Sequence, residues 1–311
     1  MTDEPPLNPT QQAVLDLLGA PPGARPVFDA ALATELRDHL ERELASVAAM
    51  IPEGDQLYVS KQQLTQVHSC EAHLLAERDQ PFSWSVPRAR GKVAHKAIEL
   101  SISWRGSPTP AALVEEAIAR LTEGVDGLAD WLQTRSEGDL AELRGEATQR
   151  VTAFMECFPP IKPQWWPVPE APVRVELFDG RIVLSGRVDL ALGQPRGPVA
   201  GKVLIDFKTG GSHHSHTDDL RFYALLDTLR LGTPPRLLAS YYLDRGEAHP
   251  EHVTADLLRA TLRRTTDGVR RIAELLHTDA EPGRRAGPYC RWCPALEDCP
   301  EGRSRSEHDL D

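Results

Sequence analysis

Two aspartates and a lysine lie in two largely apolar segments between residues 182 and 210. Asp189 lies in the first segment, and Asp206 and Lys208 end the second. Successive side chains of a strand alternate between its faces, so Asp206 and Lys208 would project to one side and Phe207 to the other. Carboxylates held close together repel each other unless a divalent cation lies between them, and oxygen ligands suit Mg²⁺ or Mn²⁺. With a lysine beside the ion, the pattern is typical of metal-assisted phosphodiester hydrolysis.

The elements that would position these side chains are a predicted β-hairpin and one strand before it. Residues 182–192 and 202–208 are apolar segments separated by a turn rich in glycine and proline. Before them, apolar and polar residues alternate over residues 173–178, which predicts another strand. Glu176 on that strand is expected to point away from the apolar face and toward Asp189. The alternative is an ordinary surface hairpin with a charged end, because a D-x-K triplet occurs often by chance.

The order of Asp189, then Asp206-x-Lys208 followed by Thr-Gly, resembles the PD-(D/E)xK nuclease superfamily, and its RecB-type branch in particular. The resemblance implies an α/β fold in which a central mixed β-sheet is flanked by helices around a restriction-endonuclease-like core. It also implies a deoxyribonuclease that depends on Mg²⁺ or Mn²⁺. In such an enzyme a water activated by the metal attacks the phosphodiester, Lys208 orients that water, and the metal stabilises the leaving 3′ oxygen.

A predicted helix further upstream carries another candidate ligand, His95. On its own, a histidine beside an apolar stripe is more simply a structural residue. Gly91, His95 and Glu99, however, have the spacing of the motif G-x-x-x-H-x-x-x-E of RecB-type nucleases, in which the histidine binds a metal. The catalytic residues that the resemblance implies are His95, Glu176, Asp189, Asp206 and Lys208. The metal ligands that it implies are His95, Asp189, Asp206 and the carbonyl of Phe207.

The helix predicted after the second strand carries candidate substrate contacts. Asp219 and Tyr223 lie one turn apart on one face and resemble the Q-x-x-x-Y pair that RecB-type nucleases use for substrate contacts. An aspartate cannot donate a hydrogen bond to phosphate; it could hold a second metal, support the catalytic lysine or reflect a shifted alignment. Just before this helix, His213, His214 and His216 invite a metal interpretation. A flexible polar loop is the favoured interpretation of these histidines.

The cysteines indicate a second metal site. Cys290, Cys293 and Cys299 have the spacing C-x₂-C-x₅-C, and Cys70 offers a fourth thiol far upstream. In a cytoplasmic chain such spacing predicts metal ligation rather than disulfides, and both zinc and an iron–sulfur cluster stay open on spacing alone. The layout resembles AddB-type and Cas4-like nucleases. That resemblance implies a structural [4Fe–4S] cluster that clasps the two ends of the domain, whereas Cys157 is predicted to be a buried thiol.

Composition sets further bounds. The chain of 311 residues is long enough to bury a large core without disulfides. It has no apolar run of about 18 residues, and its first residues lack the layout of a signal peptide, so a cytoplasmic location without a membrane partner is expected. The net charge of −11 does not exclude DNA, because residues 1–56 hold ten acids against three arginines and a predicted helix near the end is basic. The arginines of that helix are Arg259, Arg263, Arg264, Arg270 and Arg271.

These features predict two regions. Residues 1–56 would form an acidic helical extension, and residues 57–311 a RecB-type nuclease domain. Within that domain, residues 106–165 would be a helical insertion and residues 286–300 the cysteine cluster.

The predicted function is a single-strand-preferring DNA exonuclease in repair, recombination or defence. A helicase or another repair or defence protein is the candidate partner, because the chain has no P-loop motif for an ATP-driven motor. Two alternatives stay open. One is a nuclease-fold DNA-binding or scaffold subunit with little or no turnover, and the other is a zinc-binding interaction protein in which the D-x-K match is accidental.

Overall fold

The computed structural model describes residues 6–124, 127–210 and 215–308. The helices of these ranges are α1 (Pro9–Leu18), α2 (Leu32–Met50), α3 (Lys61–Ser69), α4 (Glu71–Arg78), α5 (Val86–Ser103), α6 (Pro110–Thr122), α7 (Leu128–Gln133), α8 (Glu137–Cys157), α9 (Ser215–Leu231), α10 (Ala255–His277) and α11 (Pro300–His308). The strands are β1 (Leu57–Val59), β2 (Val168–Leu177), β3 (Ile182–Leu192), β4 (Val203–Lys208), β5 (Leu237–Tyr242) and β6 (Glu247–His252).

The strands of the described residues form one mixed sheet. Its order is β1-β3-β4-β5-β6, and β2 pairs with β3 outside that path. β2 and β3 form a long antiparallel hairpin, whereas β4 and β5 are parallel and are joined by α9. A parallel pair needs such a crossover connection. The predicted fold class, a central mixed sheet flanked by helices, is confirmed.

The neighbours of β3 change along its length. Residues 182–184 pair with β1, whereas residues 190–192 pair with β4. Because β2 occupies the other edge of β3, β1 and β4 must share one edge. That edge therefore has no described strand partner between residues 185 and 189. Asp189 lies at the end of this gap, where side chains from both faces of the sheet can meet.

Helices cover both faces of the sheet and bury two separate cores. The first core contains residues of α2, α3, α4, α9 and α10, and the second contains residues of α1, α5, α6, α7 and α8. The side chains of β4 alternate between them, with Leu204 in the first core and Ile205 and Phe207 in the second. Asp206 therefore faces the layer of α3 and α9.

Side-chain caps fix the start of two helices near the site. Ser60 accepts a hydrogen bond from the backbone N–H of Gln63, and the Gln63 side chain accepts one from the backbone of Ser60. This capping box satisfies two otherwise unpaired N–H groups and makes Lys61 the first residue of α3. Ser85 caps α5 through the backbone N–H of Arg88. Local sequence thus sets where each helix begins.

The segment before residue 57 packs into the same body as the rest of the described chain. α2 buries one leucine per turn in the core that also contains residues of β2, α9 and α10. These leucines are Leu32, Leu36, Leu40 and Leu44, each at most 2 % exposed. The sequence predicted an extension outside the nuclease domain, but the structure makes α2 part of the hydrophobic core. The predicted boundary at residue 57 is therefore not a packing boundary.

Acidic side chains of several elements pair with the arginines of α10. Four arginines of α10 form ion pairs with acids of other elements, and two of these acids lie on α2. The pairs are Arg259–Glu35, Arg264–Asp218, Arg270–Glu43 and Arg271–Glu71. Such exposed pairs contribute little stability, about 0–1 kcal/mol each, but they cancel charge. Four of the five arginines that the sequence analysis noted on this helix therefore have acidic partners.

The predicted insertion, residues 106–165, contains α6, α7 and α8. At its end, Phe154 and Phe158 meet Phe207 and Tyr241 edge to face, with ring centroids 5.1 to 6.3 Å apart. This aromatic cluster packs against the back of β4, opposite Asp206. Among the described helices, none is both long and apolar enough to cross a membrane.

Candidate active site

The candidate site lies where α5, β2 and β3 meet. His95, Glu170 and Asp189 each place one ligand atom within 4.8 Å of the other two, and no other such group of three occurs among the described residues. The Nδ1 atom of His95 is 3.3 Å from Oδ1 of Asp189. The second oxygen of Asp189 accepts a hydrogen bond from the backbone N–H of Phe207 at 2.6 Å. One imidazole and two carboxylates form a donor set that a divalent metal accepts. We call these three residues the triad.

The register of the β2–β3 hairpin brings Glu170, and not Glu176, to Asp189. Leu177 pairs with Ile182 beside the turn, and counting back along both strands puts Glu170 opposite Asp189. Glu176 lies six residues nearer the turn, about 20 Å away along the strand, where it is 54 % exposed and pairs with an arginine of its own strand. Strand alternation predicted the correct face of β2, but the position of the glutamate on that face depends on the register that the short turn imposes.

Asp206 and Lys208 project to the same side of β4, as strand alternation predicted. The Nζ atom of Lys208 is 2.5 Å from Oδ2 of Asp206. A second ammonium, that of Lys61 on α3, is 3.3 Å from Oδ1 of the same carboxylate. The Asp206 side chain is only 3 % exposed. Oδ2 of Asp206 lies close to Lys208, but their contact does not have the geometry of a hydrogen bond. Nothing in the sequence pattern had identified Lys61.

Asp219 of α9 completes this cluster of charges. Its Oδ2 lies 3.5 Å from the Nζ atoms of both Lys61 and Lys208. Its Oδ1 accepts a hydrogen bond from the Thr65 hydroxyl at 3.4 Å. Among the roles predicted for an aspartate at this position, this geometry favours the one in which Asp219 holds the ammonium of Lys208 in place. We call Lys61, Asp206, Lys208 and Asp219 the lysine cluster.

Tyr223, one turn beyond Asp219, is buried beneath the lysine cluster. Its ring centroid lies 5.0 Å from the Nζ atom of Lys61. The ring fits against Gly186 of β3, where an added Cβ would lie 2.2 Å from the ring. Burial raises the pKa of Tyr223 to about 12. Tyr223 is only 2 % exposed. Its predicted contact with substrate stays a prediction.

The two halves of the site differ in electrostatics. Burial and the Asp189 carboxylate raise the pKa of Glu170. Burial would lower the pKa of His95, but the interaction with Asp189 outweighs it and the pKa is raised. Burial would raise the pKa of Asp206, but the two neighbouring ammonium groups outweigh it and the pKa is lowered. Asp206 therefore stays ionised with its charge balanced, whereas the triad has negative charge that a proton or a cation would relieve.

The other two residues of the G-x-x-x-H-x-x-x-E motif, Gly91 and Glu99, have structural contacts. A Cβ at Gly91 would lie 3.3 Å from Oγ1 of Thr209, so glycine allows α5 to approach the end of β4 closely. Glu99 accepts hydrogen bonds from Lys96 at 2.7 and 2.9 Å. It does not belong to the triad.

An open cleft of about 750 Å³ leads to the triad. Its walls include two aromatic side chains, Phe82 and Trp84, and two basic ones, Arg88 and Lys92. Phe82 is 66 % exposed. The cleft therefore offers both ring faces and positive charge close to the candidate metal ligands.

Comparison with protein families gives a match over residues 58–300, more than half of the chain, to the PD-(D/E)XK nuclease superfamily. The chain belongs to this superfamily. Membership suggests a metal-dependent nuclease, and therefore a hydrolase. A search of curated proteins finds no match. A solved structure titled "Crystal structure of SSO0001" is similar to the chain at 15 % sequence identity, with 86 % of this chain and 96 % of that chain covered and a TM-score of 0.31.

The donor set of this superfamily member fits a hard divalent cation. The triad gathers one nitrogen and two carboxylate ligands on the wall of the cleft. Asp206 adds a buried carboxylate, whose Oδ2 already has the ammonium of Lys208 as a partner at 2.5 Å. The carbonyl of Phe207 as a further ligand stays a prediction.

Four of the five cysteines line a second, smaller cavity of about 80 Å³. They are Cys70, Cys290, Cys293 and Cys299. The hydroxyl of Tyr289 donates a hydrogen bond to the carbonyl of Ser69 at 3.0 Å, which holds the C-terminal segment against the junction of α3 and α4. Gly302 leaves room beside the sulfur atoms, since a Cβ there would lie 3.5 Å from Sγ of Cys299. Within the described residues, no three cysteines have their sulfur atoms all within 4.8 Å of one another.

The histidine-rich segment before α9 is only partly described. His213 and His214 lie outside the described residues. The Nδ1 atom of His216 is 3.2 Å from the hydroxyl of Tyr242, and His216 is not a member of the triad.

Proposed function

We propose that the protein is a divalent-metal-dependent deoxyribonuclease that prefers single-stranded DNA and acts from ends. The observation that carries the proposal is the triad on the wall of the cleft, with the Asp206–Lys208 pair beside it. Metal ligands next to a lysine are what metal-assisted phosphodiester hydrolysis requires. We place the activity in cytoplasmic DNA repair, recombination or defence, where a helicase partner would supply any ATP-driven unwinding.

The proposed roles follow from the two halves of the site. The side chains that would hold Mg²⁺ or Mn²⁺ are His95, Glu170, Asp189 and Asp206. Once bound, the ion would polarise the phosphate, activate the attacking water and stabilise the leaving 3′ oxygen. Lys208 is held by its ion pair with Asp206, from where it orients the water and stabilises negative charge on the phosphoryl oxygens. Lys61 and Asp219 keep this ammonium in position.

The aromatic wall of the cleft supports a single-stranded substrate. Phe82 and Trp84 are in edge-to-face contact at 5.1 Å, and the guanidinium of Arg88 lies 5.6 Å from the Phe82 ring. Unpaired bases stack on exposed aromatic rings, with about 1–3 kcal/mol per base. In a duplex the bases are already stacked on each other, so these rings would favour single strands.

The cavity formed by the four cysteines supports the proposal of a structural [4Fe–4S] cluster. A single zinc ion with Zn–S bonds of about 2.3 Å would require tetrahedral sulfur atoms roughly 3.8 Å apart. Among the described residues, no three cysteine sulfur atoms all lie within 4.8 Å of one another. Thiolate-bound metal contributes its binding free energy to folding, so the cluster would hold the C-terminal segment to the junction of α3 and α4.

The cluster proposal is tested by colour and metal content. Anaerobically purified protein should be brown, with broad visible absorption. Cys293→Ser should lose the colour and part of the thermal stability, whereas Cys157→Ser, a cysteine outside the cavity, should keep both. A colourless protein with one zinc per chain would refute the cluster.

The nuclease proposal is tested by digestion of end-labelled single-stranded, duplex and circular DNA with Mn²⁺, Mg²⁺ or EDTA. We expect the linear single strand to be degraded fastest, circles to be spared and EDTA to stop the reaction. The position of the released label would give the polarity. Cutting of circles would replace the exonuclease by an endonuclease.

The matched control for that assay is Asp206→Ala, which should remove cleavage while single-stranded DNA still binds. DNA binding by the wild type without cleavage under any metal would favour the scaffold alternative. In the nuclease proposal the aspartate that stands in place of glutamine has a role, because Asp219 lies between two lysines of the site.

A further inference from the structure

A separate cavity next to the β3–β4 turn contains two arginines and no acidic residue. Its volume is about 230 Å³, and it shares no lining residue with the catalytic cleft. Leu192 and Val203 line it, each three residues nearer the turn than Asp189 and Asp206, respectively. Three strand residues span about 10 Å. The cavity therefore lies in the same fold but outside the catalytic machinery.

The two arginines of this cavity are Arg25 and Arg236. Arg236 is 7 % exposed; its terminal nitrogen donates to the carbonyl of Leu18, and its Nε has no hydrogen-bond partner. Arg25 donates to the carbonyl of Ala20 at 3.3 Å. Burial and then the charge of Arg25 lower the pKa of Arg236 to about 10, and no carboxylate acts in the other direction. The guanidinium nevertheless stays protonated at neutral pH.

The charge of this pair is not balanced by the described residues around it. Both arginines bond to carbonyls at or just beyond the end of α1, and a helix C-terminus carries about half a negative charge. Two guanidinium groups therefore keep more than one positive charge between them. A buried charge without a counter-ion is strongly unfavourable. An anion in the cavity would supply the missing charge and accept the free Nε–H.

Apart from Gln164, the rest of the lining is apolar or aromatic. It includes Leu15, Leu18, Phe158, Trp165, Leu192 and Val203. A volume of about 230 Å³ is just below the roughly 300–1,000 Å³ of cavities that hold drug-sized ligands. The space therefore suits a ligand of about one ring. The walls would exclude water from that ring, while the arginines would orient its charged end.

We propose that this cavity binds a small organic anion, with a carboxylate or phosphate on Arg25 and Arg236 and a flat apolar body against Trp165. Arginine suits this task because its planar fork matches both oxyanions. The proposal does not depend on the nuclease activity.

The test is calorimetric titration of the full chain, without divalent metal, with phenyl phosphate, benzoate and the neutral benzyl alcohol. We expect saturable binding of one anion per chain, at least about tenfold tighter than the alcohol, because hydrogen bonds to charged groups are the stronger ones. The better of the two anions identifies the charged group. Binding of neither anion at up to about 10 mM, or equal binding of the alcohol, would overturn the proposal.

The variant that tests the arginines is Arg25→Gln, with Arg196→Gln as its control. Arg196 is exposed on the β3–β4 turn next to the cavity but does not line it. We expect Arg25→Gln to weaken anion binding by about tenfold or more, Arg25→Lys to weaken it less, and Arg196→Gln to leave it unchanged. DNA cleavage by all three should equal that of the wild type. If Arg25→Gln lowers the melting temperature but keeps full anion affinity, the arginines serve only as caps of α1 and the proposal fails.

Discussion

Asp189 and Asp206 lie on adjacent strands, yet their surroundings carry opposite charge. Asp189 has an imidazole and a second carboxylate beside it and faces the open cleft. Asp206 is nearly inaccessible and lies between the ammonium groups of Lys61 and Lys208. His95 reaches the site from the α5 layer, whereas Lys61 reaches it from the opposite face of the sheet. The gap in the edge of β3 is what lets both layers contribute.

The difference between the triad and the lysine cluster indicates two roles, cation binding and stabilisation of the charge that develops in the reaction. The triad lines the open cleft and is short of positive charge, so it is the half that would recruit a cation. The lysine cluster surrounds the buried carboxylate of Asp206 and is already neutral, so it would stabilise charge that develops during the reaction. Variants of the two halves should therefore have different effects on metal affinity and on turnover.

The largest effect is expected for Lys208→Ala. Loss of a preorganised cation beside the reacting phosphate should lower kcat by about 10²–10³-fold or more. Mn²⁺ affinity, measured by calorimetry, should be unchanged or slightly higher, because a like charge has been removed from the vicinity. Loss of metal binding in this variant would contradict the division between the two halves.

The next effect concerns the glutamate that the sequence analysis did not identify. Glu170→Gln should weaken Mn²⁺ binding by about 10–100-fold, because it removes one ligand charge from the triad. Glu176→Gln is the matched control, since it changes the same residue type on the same strand away from the site. An equal loss of Mn²⁺ affinity in both variants would contradict the distinction between the two glutamates. A loss only in Glu176→Gln would return the role to Glu176.

A smaller loss is expected for Lys61→Met, which keeps most of the aliphatic stem. Asp206 retains Lys208 as its partner in this variant, so kcat should fall by about tenfold, well short of the loss in Lys208→Ala. Single-turnover cleavage of a labelled single strand would measure both variants. Equal kcat losses would show that Lys61 contacts the reacting phosphate directly rather than positioning Lys208.

The smallest effect is a pH dependence confined to the triad. The pKa of His95 and that of Glu170 are both raised, so each group holds its proton to a higher pH than usual. A metal must displace these protons, so Mn²⁺ affinity should fall as pH decreases, first through protonation of His95 and then of Glu170. Calorimetry from about pH 8 to about pH 5.5 should show a shallower fall for Glu170→Gln at the acidic end. Affinity that does not change with pH would contradict the proposed ligands.

The lysine cluster and the triad also differ in how far the sequence predicted them. The Asp206–Lys208 pair follows from strand alternation, and His95 was identified by motif spacing. Lys61 has no such signal, because its contact with Asp206 depends on how α3 packs beside β4 and α9. Glu170 had a usable signal in the short turn after β2, from which the register can be counted.

By itself the sequence determined the hairpin strands β3 and β4, the side-by-side placement of Asp206 and Lys208, and the superfamily to which the chain belongs. Those properties depend on residues close in sequence, whose relative geometry repeats every two residues in a strand and every 3.6 in a helix. Only the tertiary structure decided which glutamate meets Asp189, which second lysine reaches Asp206, and that α2 packs into the core and pairs with two arginines of α10. These contacts join residues far apart in sequence, so strand register and helix packing, rather than local chain geometry, set their distances.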